Sequence, residues 1–194
     1  LKRKYKIEGF AIVDDNFIVS NNIVKDVCEA VGDLGLYWSA LSRVDTVDYE
    51  LLEIMHGTGC IELKFGVESG SERLLRAMGK NISCNQIRKA ITLASAVGIG
   101  VKIFLVHGFP GENLTSTRET ISLLRDIVPL IDRVSLFRFV PLPGSYVFKN
   151  PDLFNLNLSS DSSDWGKLHI YNNHYHWWGS KEAFQQVELS YCEL

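Results

Sequence analysis

Short apolar runs alternate along the chain with amphipathic stretches of helical period. Five runs have the length and the β-forming residues of strands, and they cover Ile7–Val13, Leu36–Leu41, Ile61–Val67, Ile99–Val106 and Val134–Val140. Apolar residues spaced three or four apart predict helices over Asn22–Leu34, Tyr49–His56, Ser71–Met78, Asn85–Val97 and Thr115–Val128. No two strands are joined by a hairpin-type link, so the class is α/β with a parallel sheet. The pattern fits a partial (β/α) barrel or an open doubly wound sheet.

The third predicted strand alternates polar and apolar residues. One set is Glu62, Lys64, Gly66 and Glu68, and the pleat of a strand places it on the face opposite Ile61, Leu63, Phe65 and Val67. In a barrel the apolar set packs on the outer helices and the polar set faces the interior. Glu68 comes last, at the carboxyl end where barrels bind ligands. The structural alternative is an ion pair between Glu68 and Lys64 or Arg43.

Two other strands end in charged residues. Asp14 and Asp15 offer acceptors for an ammonium group or ligands for a hard cation, or they form an Asx turn. Arg43 could clamp a carboxylate with two hydrogen bonds, or it could pair on the surface with Asp45 or Asp48. The sequence pattern leaves both choices open.

The fourth strand runs into a glycine-rich loop, and the chain ends in an aromatic tail. The loop Gly108–Glu112 supplies backbone donors without bulky side chains, but it lacks the Gly-Lys-Ser/Thr ending of a phosphate loop. The tail from Asn150 ends in a predicted helix, Lys181–Tyr191, and we expect it to pack over the sheet or close an opening. His174 and His176 have the spacing of a metal pair on a strand, but packing among aromatic residues explains them better.

Composition narrows the class of protein. The chain has 194 residues, 46% of them hydrophobic, and a formal net charge of −3, which gives no electrostatic case for nucleic acid or for an anionic membrane. No apolar run approaches the length of a membrane span. The four cysteines are Cys28, Cys60, Cys84 and Cys192; they have no metal-ligand spacing and favour a reducing, cytoplasmic location. The first two lie on apolar faces and are expected in the core.

Taken in order, these motifs resemble the core of a radical S-adenosylmethionine (radical SAM) enzyme. The resemblance runs from about Leu1 to Phe148. Its elements are Val13-Asp14-Asp15-Asn16-Phe17, Arg43-Val44-Asp45, a helix with Leu51, Leu52 and Met55 leading to Gly59-Cys60, Gly66 to Ser71 with Leu74, Leu75, Met78 and Lys80, Gly108 to Asn113, and Pro141 to Ser145. Asn113 stands where the family usually has threonine. The most similar branch is the one in which many members also carry a cobalamin-binding domain.

The resemblance implies a partial (β/α) barrel of six strands, of which this chain supplies the last five. The chain starts in what reads as the end of a helix, so we expect a fragment. The missing first strand would carry the Cys-x3-Cys-x2-Cys loop that holds a [4Fe-4S] cluster, and none of the four cysteines here can replace it, since such a cluster needs three thiolates close together. We therefore expect no metal ligands and no catalytic residues in this chain, which should be inactive alone.

What the chain retains, by this resemblance, is most of the cradle for S-adenosylmethionine. Asp14 or Asp15 would lie near the methionyl amino group and Arg43 near its carboxylate. Glu68 and Ser69 would lie near the carboxylate or the ribose hydroxyls. The adenine would be bordered by Val106, His107, Gly108, Val140 and Pro141.

The resemblance also implies what the intact enzyme does. The cluster donates an electron to the sulfonium, and a 5′-deoxyadenosyl radical then abstracts hydrogen or leads to methyl transfer. An electron donor such as flavodoxin or ferredoxin and a small-molecule substrate would be the partners, with cobalamin as a further cofactor. Residues 1–148 would form the barrel and residues 149–194 an extension that packs on it or closes it.

Two other functions fit parts of the pattern. A metal-dependent (β/α)-barrel hydrolase could use Asp14, Glu68 and His107, and a non-catalytic scaffold could bind a partner through the aromatic tail. The hydrolase explains the carboxylates but not the pair of Glu-Ser-Gly-Ser and Pro-Gly-Glu motifs. If the first strand is missing, the Ile7–Val13 edge is unpaired, which predicts a dimer or a swapped element at that edge.

Overall fold

The computed structural model describes residues 2–158, 165–168 and 176–191. Its strands are β1 (Gly9–Ala11), β2 (Tyr37–Ser42), β3 (Cys60–Glu68), β4 (Gly100–His107) and β5 (Arg133–Arg138). Its α-helices are α1 (Lys2–Tyr5), α2 (Asn21–Gly32), α3 (Tyr49–Gly57), α4 (Glu72–Ala77), α5 (Cys84–Ala96), α6 (Leu114–Ile127), α7 (Tyr146–Lys149) and α8 (Lys181–Tyr191). Short 3₁₀ turns cover Val128–Leu130 and Trp165–Leu168. No helix among the described residues is both long enough and apolar enough to cross a membrane.

The strands form one sheet in the order β1-β2-β3-β4-β5. β1 pairs with β2 and β2 with β3 in parallel, with Phe10 opposite Trp38 and Ala40 opposite Leu63. Each strand therefore lies beside the next one along the chain. A doubly wound sheet reverses its strand order near the middle, and a barrel does not, so the order favours the barrel.

Capping residues explain where the two best-defined helices begin. The Asp48 side chain accepts a hydrogen bond from the Leu51 N–H at the start of α3. Ser83 and Gln86 form a capping box at the start of α5, each side chain bonded to the backbone of the other. The predicted bounds of both helices agree with the structure to within a residue.

Two strands differ from prediction. β1 covers three residues rather than the predicted Ile7–Val13, although backbone hydrogen bonds to β2 run on from Glu8 to Ile12. β5 ends at Arg138, two residues before the predicted end at Val140. Pro141, which has no N–H, prevents the ladder from continuing beyond that point.

The alternation predicted for β3 is present. Leu63, Phe65 and Val67 are fully buried, whereas the polar set on the other face is half-buried. Ile61 departs from its set, since it is 53% exposed at the start of the strand. The apolar face of β3 thus packs in the core, as a barrel strand requires.

The contacts divide the chain into two compact units. The first unit consists of Leu1–Val67, Asn81–Phe104 and Leu123–Ser135, and the second of Glu68–Lys80, Leu105–Ser122 and Leu136–Leu194. Buried side chains of α3, β3, α5 and β4 build the core of the first unit; they include Leu52, Met55, Phe65, Ile91 and Ile103. A cluster in the second unit contains Val140, Trp177, Trp178, Phe184, Val187 and Tyr191. The C-terminal helix α8 has the predicted bounds and supplies half of that cluster.

Candidate functional site

Glu68, the last residue of β3, carries the clearest sign of a functional position. Its backbone has a φ of 65°, a left-handed conformation that is costly for a residue other than glycine. Its Oε1 accepts a hydrogen bond of 2.7 Å from the Lys80 Nζ, and the two side chains are 19% and 30% exposed. The structure therefore holds a half-buried pair of opposite charges at the carboxyl end of β3.

Neither partner expected for Glu68 contacts it. Lys64 donates to the Ser39 hydroxyl at 3.1 Å, and Arg43 pairs with Asp45. Lys80 was visible in the sequence only as part of a motif. Lys80 lies 12 residues after Glu68, beyond a helix and a turn, and no local sequence pattern indicates that the two side chains will be in contact.

Buried hydrogen bonds hold the turn that follows Glu68. Ser69 is fully buried, and its hydroxyl accepts from the Ser71 N–H at 3.1 Å and lies 3.3 Å from the Thr120 hydroxyl. The Gly70 N–H donates to the same Thr120 oxygen at 3.0 Å. Ser69 thus holds the turn in place through bonds within the protein. A contact between its hydroxyl and a ligand stays a prediction.

The glycine-rich loop after β4 is bound to the C-terminal region. Gly108 has a φ of 76°; its N–H donates to the Glu112 Oε2, and its carbonyl accepts from the Trp178 Nε1 at 2.7 Å. The Tyr191 hydroxyl donates to the Glu112 Oε1 at 2.6 Å. Burial raises the pKa of Glu112, and the hydrogen bonds from Tyr191 and Gly108 oppose that rise. Sequence reasoning missed Trp178 and Tyr191, since both lie about 70 residues or more from the loop.

His107 ends β4 beside this loop. Its ring lies 5.2 Å from the Tyr191 ring, and its buried Nδ1 has no hydrogen-bond partner among the described residues. Burial, with a smaller effect of the Arg138 charge, lowers the pKa of His107 to about 4. The imidazole is therefore neutral at pH 7, able to accept or donate a hydrogen bond but not to offer a cation.

The other predicted adenine-bordering residues lie at the ends of two neighbouring strands. The Phe139 N–H donates to the His107 carbonyl at 2.8 Å, which joins the end of β4 to the residue after β5. Val140 and Pro141 follow directly and are buried, whereas Val106 is half-buried. These residues form an apolar border next to the loop, where a Cβ on Gly108 would lie 3.2 Å from the Phe184 ring.

The three predicted residues of the first unit lie on its surface. Asp14 and Asp15 are exposed. Arg43 makes a two-pronged pair with Asp45, at 2.9 Å from Nε and 2.8 Å from Nη2, and this pairing raises the pKa of Arg43. Asp45 rather than Asp48 is thus its surface partner.

No described residues fit a metal ion or an iron–sulfur cluster. Across the described ranges, no three His, Cys, Asp or Glu side chains are grouped to hold a metal, so no such group supports the alternative of a metal-dependent hydrolase that uses Asp14, Glu68 and His107. Burial raises the pKa of Cys28, and it raises the pKa of Cys60 to about 12, which keeps both as thiols. Cys84 lies on α5, and Cys192, like His174, lies outside the described residues. A [4Fe-4S] cluster needs three neighbouring thiolates, and the described cysteines do not supply them.

The sequence profile of the radical SAM superfamily matches residues 1–124, which include β1 to β4 and the Glu68–Lys80 pair. The chain belongs to the radical SAM superfamily. An uncharacterized methyltransferase of Pyrococcus horikoshii is 29% identical over 161 residues, which are 82% of this chain and 35% of that protein. The cytidylyl-2-hydroxyethylphosphonate methyltransferase of Streptomyces wedmorensis is 30% identical, over 77% of this chain and 29% of its own length. The chain thus spans about a third or less of these relatives.

Solved structures show the same fold. The cobalamin-dependent S-adenosylmethionine radical enzyme OxsB has a TM-score of 0.60 and 22% identity, over 69% of this chain and 21% of its own. Coproporphyrinogen III oxidase of Escherichia coli, a radical SAM enzyme, has a TM-score of 0.62 and 14% identity, over 90% of this chain and 36% of its own. With five strands in sequential order, the chain has the fold of a partial (β/α) barrel, as predicted.

Proposed function

We propose that this chain is the S-adenosylmethionine-binding part of a radical SAM enzyme. The observation that carries the proposal is the Glu68–Lys80 pair, half-buried and held in a strained backbone at the carboxyl end of β3. Strain of this kind is retained mainly where a site needs it. The pair offers one anion and one cation to a cofactor whose methionyl group carries both charges.

The candidate site residues of the second unit would then each have a role in binding the cofactor. Lys80 would donate to the methionyl carboxylate, and Glu68 would accept from the ammonium group or from ribose hydroxyls. The adenine would lie beside the loop from Gly108, with Val106, Val140 and Pro141 as its apolar border. His107 would offer a neutral ring nitrogen, and Ser69 would hold the turn. Asp14, Asp15 and Arg43 stay in the proposal on the resemblance alone.

For the whole protein, we propose radical methyl transfer or hydrogen abstraction on a small-molecule substrate. The methyltransferases among its relatives support the first of these. When bound, a [4Fe-4S] cluster supplies the electron that cleaves S-adenosylmethionine. The described residues do not fit that cluster, so no step through it is assigned to this chain. The similar OxsB structure supports cobalamin as a further cofactor of the whole protein.

The remaining partners belong to the same proposal. Reductive cleavage requires an electron donor, for which a flavodoxin or a ferredoxin is suited. Free Cys28, Cys60 and Cys84 support a cytoplasmic location. We also keep the division into a barrel, residues 1–148, and an extension, residues 149–194. β1 has one neighbour in the sheet, which supports a dimer through that edge; sedimentation velocity giving only a monomer would exclude it.

Calorimetric titration of this chain with S-adenosylmethionine tests the binding site. We expect Glu68→Gln and Lys80→Met each to weaken binding by about 10- to 100-fold, the effect of losing a hydrogen bond to a charged group. Arg88→Met is the matched control, because it removes a cation from a surface ion pair with Asp126. Free methionine should compete with the cofactor in the wild type. Equal affinity in Lys80→Met and Arg88→Met, with both proteins folded, would exclude this assignment.

A further inference from the structure

The second unit contains an aromatic cleft of about 660 Å³ that the proposed cofactor site does not use. It is lined by Ala77, Pro110, Gly111, Tyr146, Leu153, Phe154, Asn155, Trp178 and Gly179. None of these residues is among those predicted to bind S-adenosylmethionine. The volume lies within the range of clefts that hold small molecules.

Ring contacts fix the orientation of the aromatic walls. The Phe154 ring meets the Tyr146 ring edge to face, at 6.0 Å and 89°, and the Phe109 ring at 6.2 Å and 81°. Trp178 is held by its hydrogen bond to the Gly108 carbonyl and by an edge contact with Phe184 at 5.8 Å. Walls with fixed ring planes select a flat ligand, because an inserted ring can stack or meet them edge to face without reorganisation.

The mouth of the cleft leaves apolar surface in water. Tyr146 is 66% exposed and Leu153 is 69% exposed. Covering these side chains with an apolar ring is favourable, and neighbouring apolar residues of this kind mark binding sites more often than single ones do.

Asn155, which also lines the cleft, has a left-handed backbone conformation and an amide side chain. Its backbone has a φ of 48°, fixed by a hydrogen bond from its N–H to the Asp152 carbonyl and one from the Gly179 N–H to its own carbonyl. Its side chain is exposed at the cleft. Backbone hydrogen bonds therefore hold the chain at Asn155 in a defined conformation.

Arg73 places a cation at the rim. It lies one turn before Ala77 on α4, so the two side chains share a face of the helix. Its Nη2 donates to the Gly111 carbonyl at 2.8 Å, and its Nη1 lies 3.5 Å from the position that a Cβ on Gly111 would take. The guanidinium has five N–H donors, and the described residues give it this one acceptor.

We propose that the cleft binds a small molecule with a flat, apolar ring system and an anionic substituent. The ring lies among Tyr146, Phe154 and Trp178, and the anion pairs with Arg73. S-adenosylmethionine matches this description poorly, because its ring is the polar adenine rather than an apolar ring system and its cationic sulfonium would lie near the Arg73 guanidinium. The cleft is therefore a second ligand site, separate from the cofactor site.

Two fluorescent probes with related rings test the proposal. One is 8-anilinonaphthalene-1-sulfonate, which is anionic, and the other is N-phenyl-1-naphthylamine, which is uncharged. We expect both to bind with saturable, one-to-one stoichiometry. Tyr146→Ala should weaken both by about tenfold, whereas Arg73→Gln should weaken only the sulfonate by about tenfold. Tyr37→Ala, at an exposed position, and Arg88→Gln, at a half-buried one, are the matched controls in the first unit and should change neither affinity.

Near-ultraviolet circular dichroism of every variant establishes that the probe reports the native state. Non-saturable binding, or equal losses in Tyr146→Ala and Tyr37→Ala, would overturn the proposal. So would displacement of the sulfonate by S-adenosylmethionine, which would make the cleft part of the cofactor site. S-adenosylmethionine affinity should be unchanged in Arg73→Gln and Tyr146→Ala, so failure here is distinct from failure of the proposed function.

Discussion

Glu112 is only 3% exposed, and its carboxyl group accepts from two donors, one four residues away and one 79 residues away. The Gly108 N–H bonds one oxygen and the Tyr191 hydroxyl bonds the other. A buried carboxylate with such donors is stable, and the same carboxylate without them is not. The Pro-Gly-Glu motif and the last turn of α8 therefore stabilise each other through this single group.

Replacing Tyr191 with phenylalanine tests that coupling. We expect Tyr191→Phe to lower the free energy of unfolding at pH 7 by about 1.5–3 kcal/mol, the usual cost of losing a hydrogen bond to a charged group. Burial already raises the pKa of Glu112 in the folded state, so stability from this group falls as pH rises through that pKa. Losing the Tyr191 donor raises the pKa further, so the loss should be larger at high pH than at low pH. Urea denaturation across pH 4 to 8 measures it.

The control for this variant is Tyr37→Phe, at a tyrosine that is 61% exposed. It should leave the free energy of unfolding within a few tenths of a kcal/mol of the wild type. A Tyr191→Phe effect as small as the control would show that the hydroxyl contributes nothing to stability. A larger effect that is independent of pH would show that the hydroxyl does not act through the charge of Glu112.

At the scale of elements, sequence reasoning succeeded where the determining forces are local. The α3 and α5 starts follow from the Asp48 and Ser83 caps, and the faces of β3 follow from its two-residue period. The limits of β1 and β5 were less accurate, because they depend on which neighbouring backbone groups are in reach. The sequence pattern of a strand does not say how far its backbone N–H and C=O groups lie from those of the neighbouring strand.

The candidate site could be predicted only in part, for the same reason. Glu68, Gly108 and their motifs were visible because Glu68 ends a strand and Gly108 directly follows one. Lys80, Trp178 and Tyr191 were not identified as their partners, since each reaches the site through tertiary packing. The partners of Glu68 and of the Gly108 loop are therefore determined by tertiary contacts, which a local sequence pattern does not reveal.

Gly70 shows how closely two elements approach at the Glu-Ser-Gly motif. A Cβ on Gly70 would lie 2.5 Å from the Thr120 Cα and 2.7 Å from the Glu119 carbonyl, both backbone atoms of α6. Because backbone cannot yield as a flexible side chain can, we expect Gly70→Ala to cost about 3 kcal/mol of unfolding free energy. Gly57→Ala is the control, since nothing lies within 4 Å of its Cβ position at the end of α3. Thermal melts should show Gly57→Ala unchanged or slightly stabilised, and similar losses in both variants would contradict the close approach.

At the scale of the whole molecule, the described residues have the five-stranded fold of the family but do not supply ligands for its iron–sulfur cluster. The match to the radical SAM profile covers residues 1–124, which include β1 to β4 and the Glu68 motif. The cysteines of the described residues are used differently: Cys28 and Cys60 fill the core of the first unit, and both are fully buried. The described residues thus include the groups that we propose bind the cofactor, but not three neighbouring thiolates that could hold iron.

This separation predicts the outcome of anaerobic reconstitution with iron and sulfide. We expect the 194-residue chain to bind S-adenosylmethionine and yet to retain no [4Fe-4S] cluster after desalting, because burial holds Cys28 and Cys60 as thiols and the described residues contain no group of metal ligands. Visible absorption and electron paramagnetic resonance spectra of the desalted protein measure this, with Cys84→Ser as a control that should give the same spectra. A stable cluster signal that shifts on addition of S-adenosylmethionine would show that cysteines of this chain rearrange to bind iron, and it would assign the radical step to the chain itself.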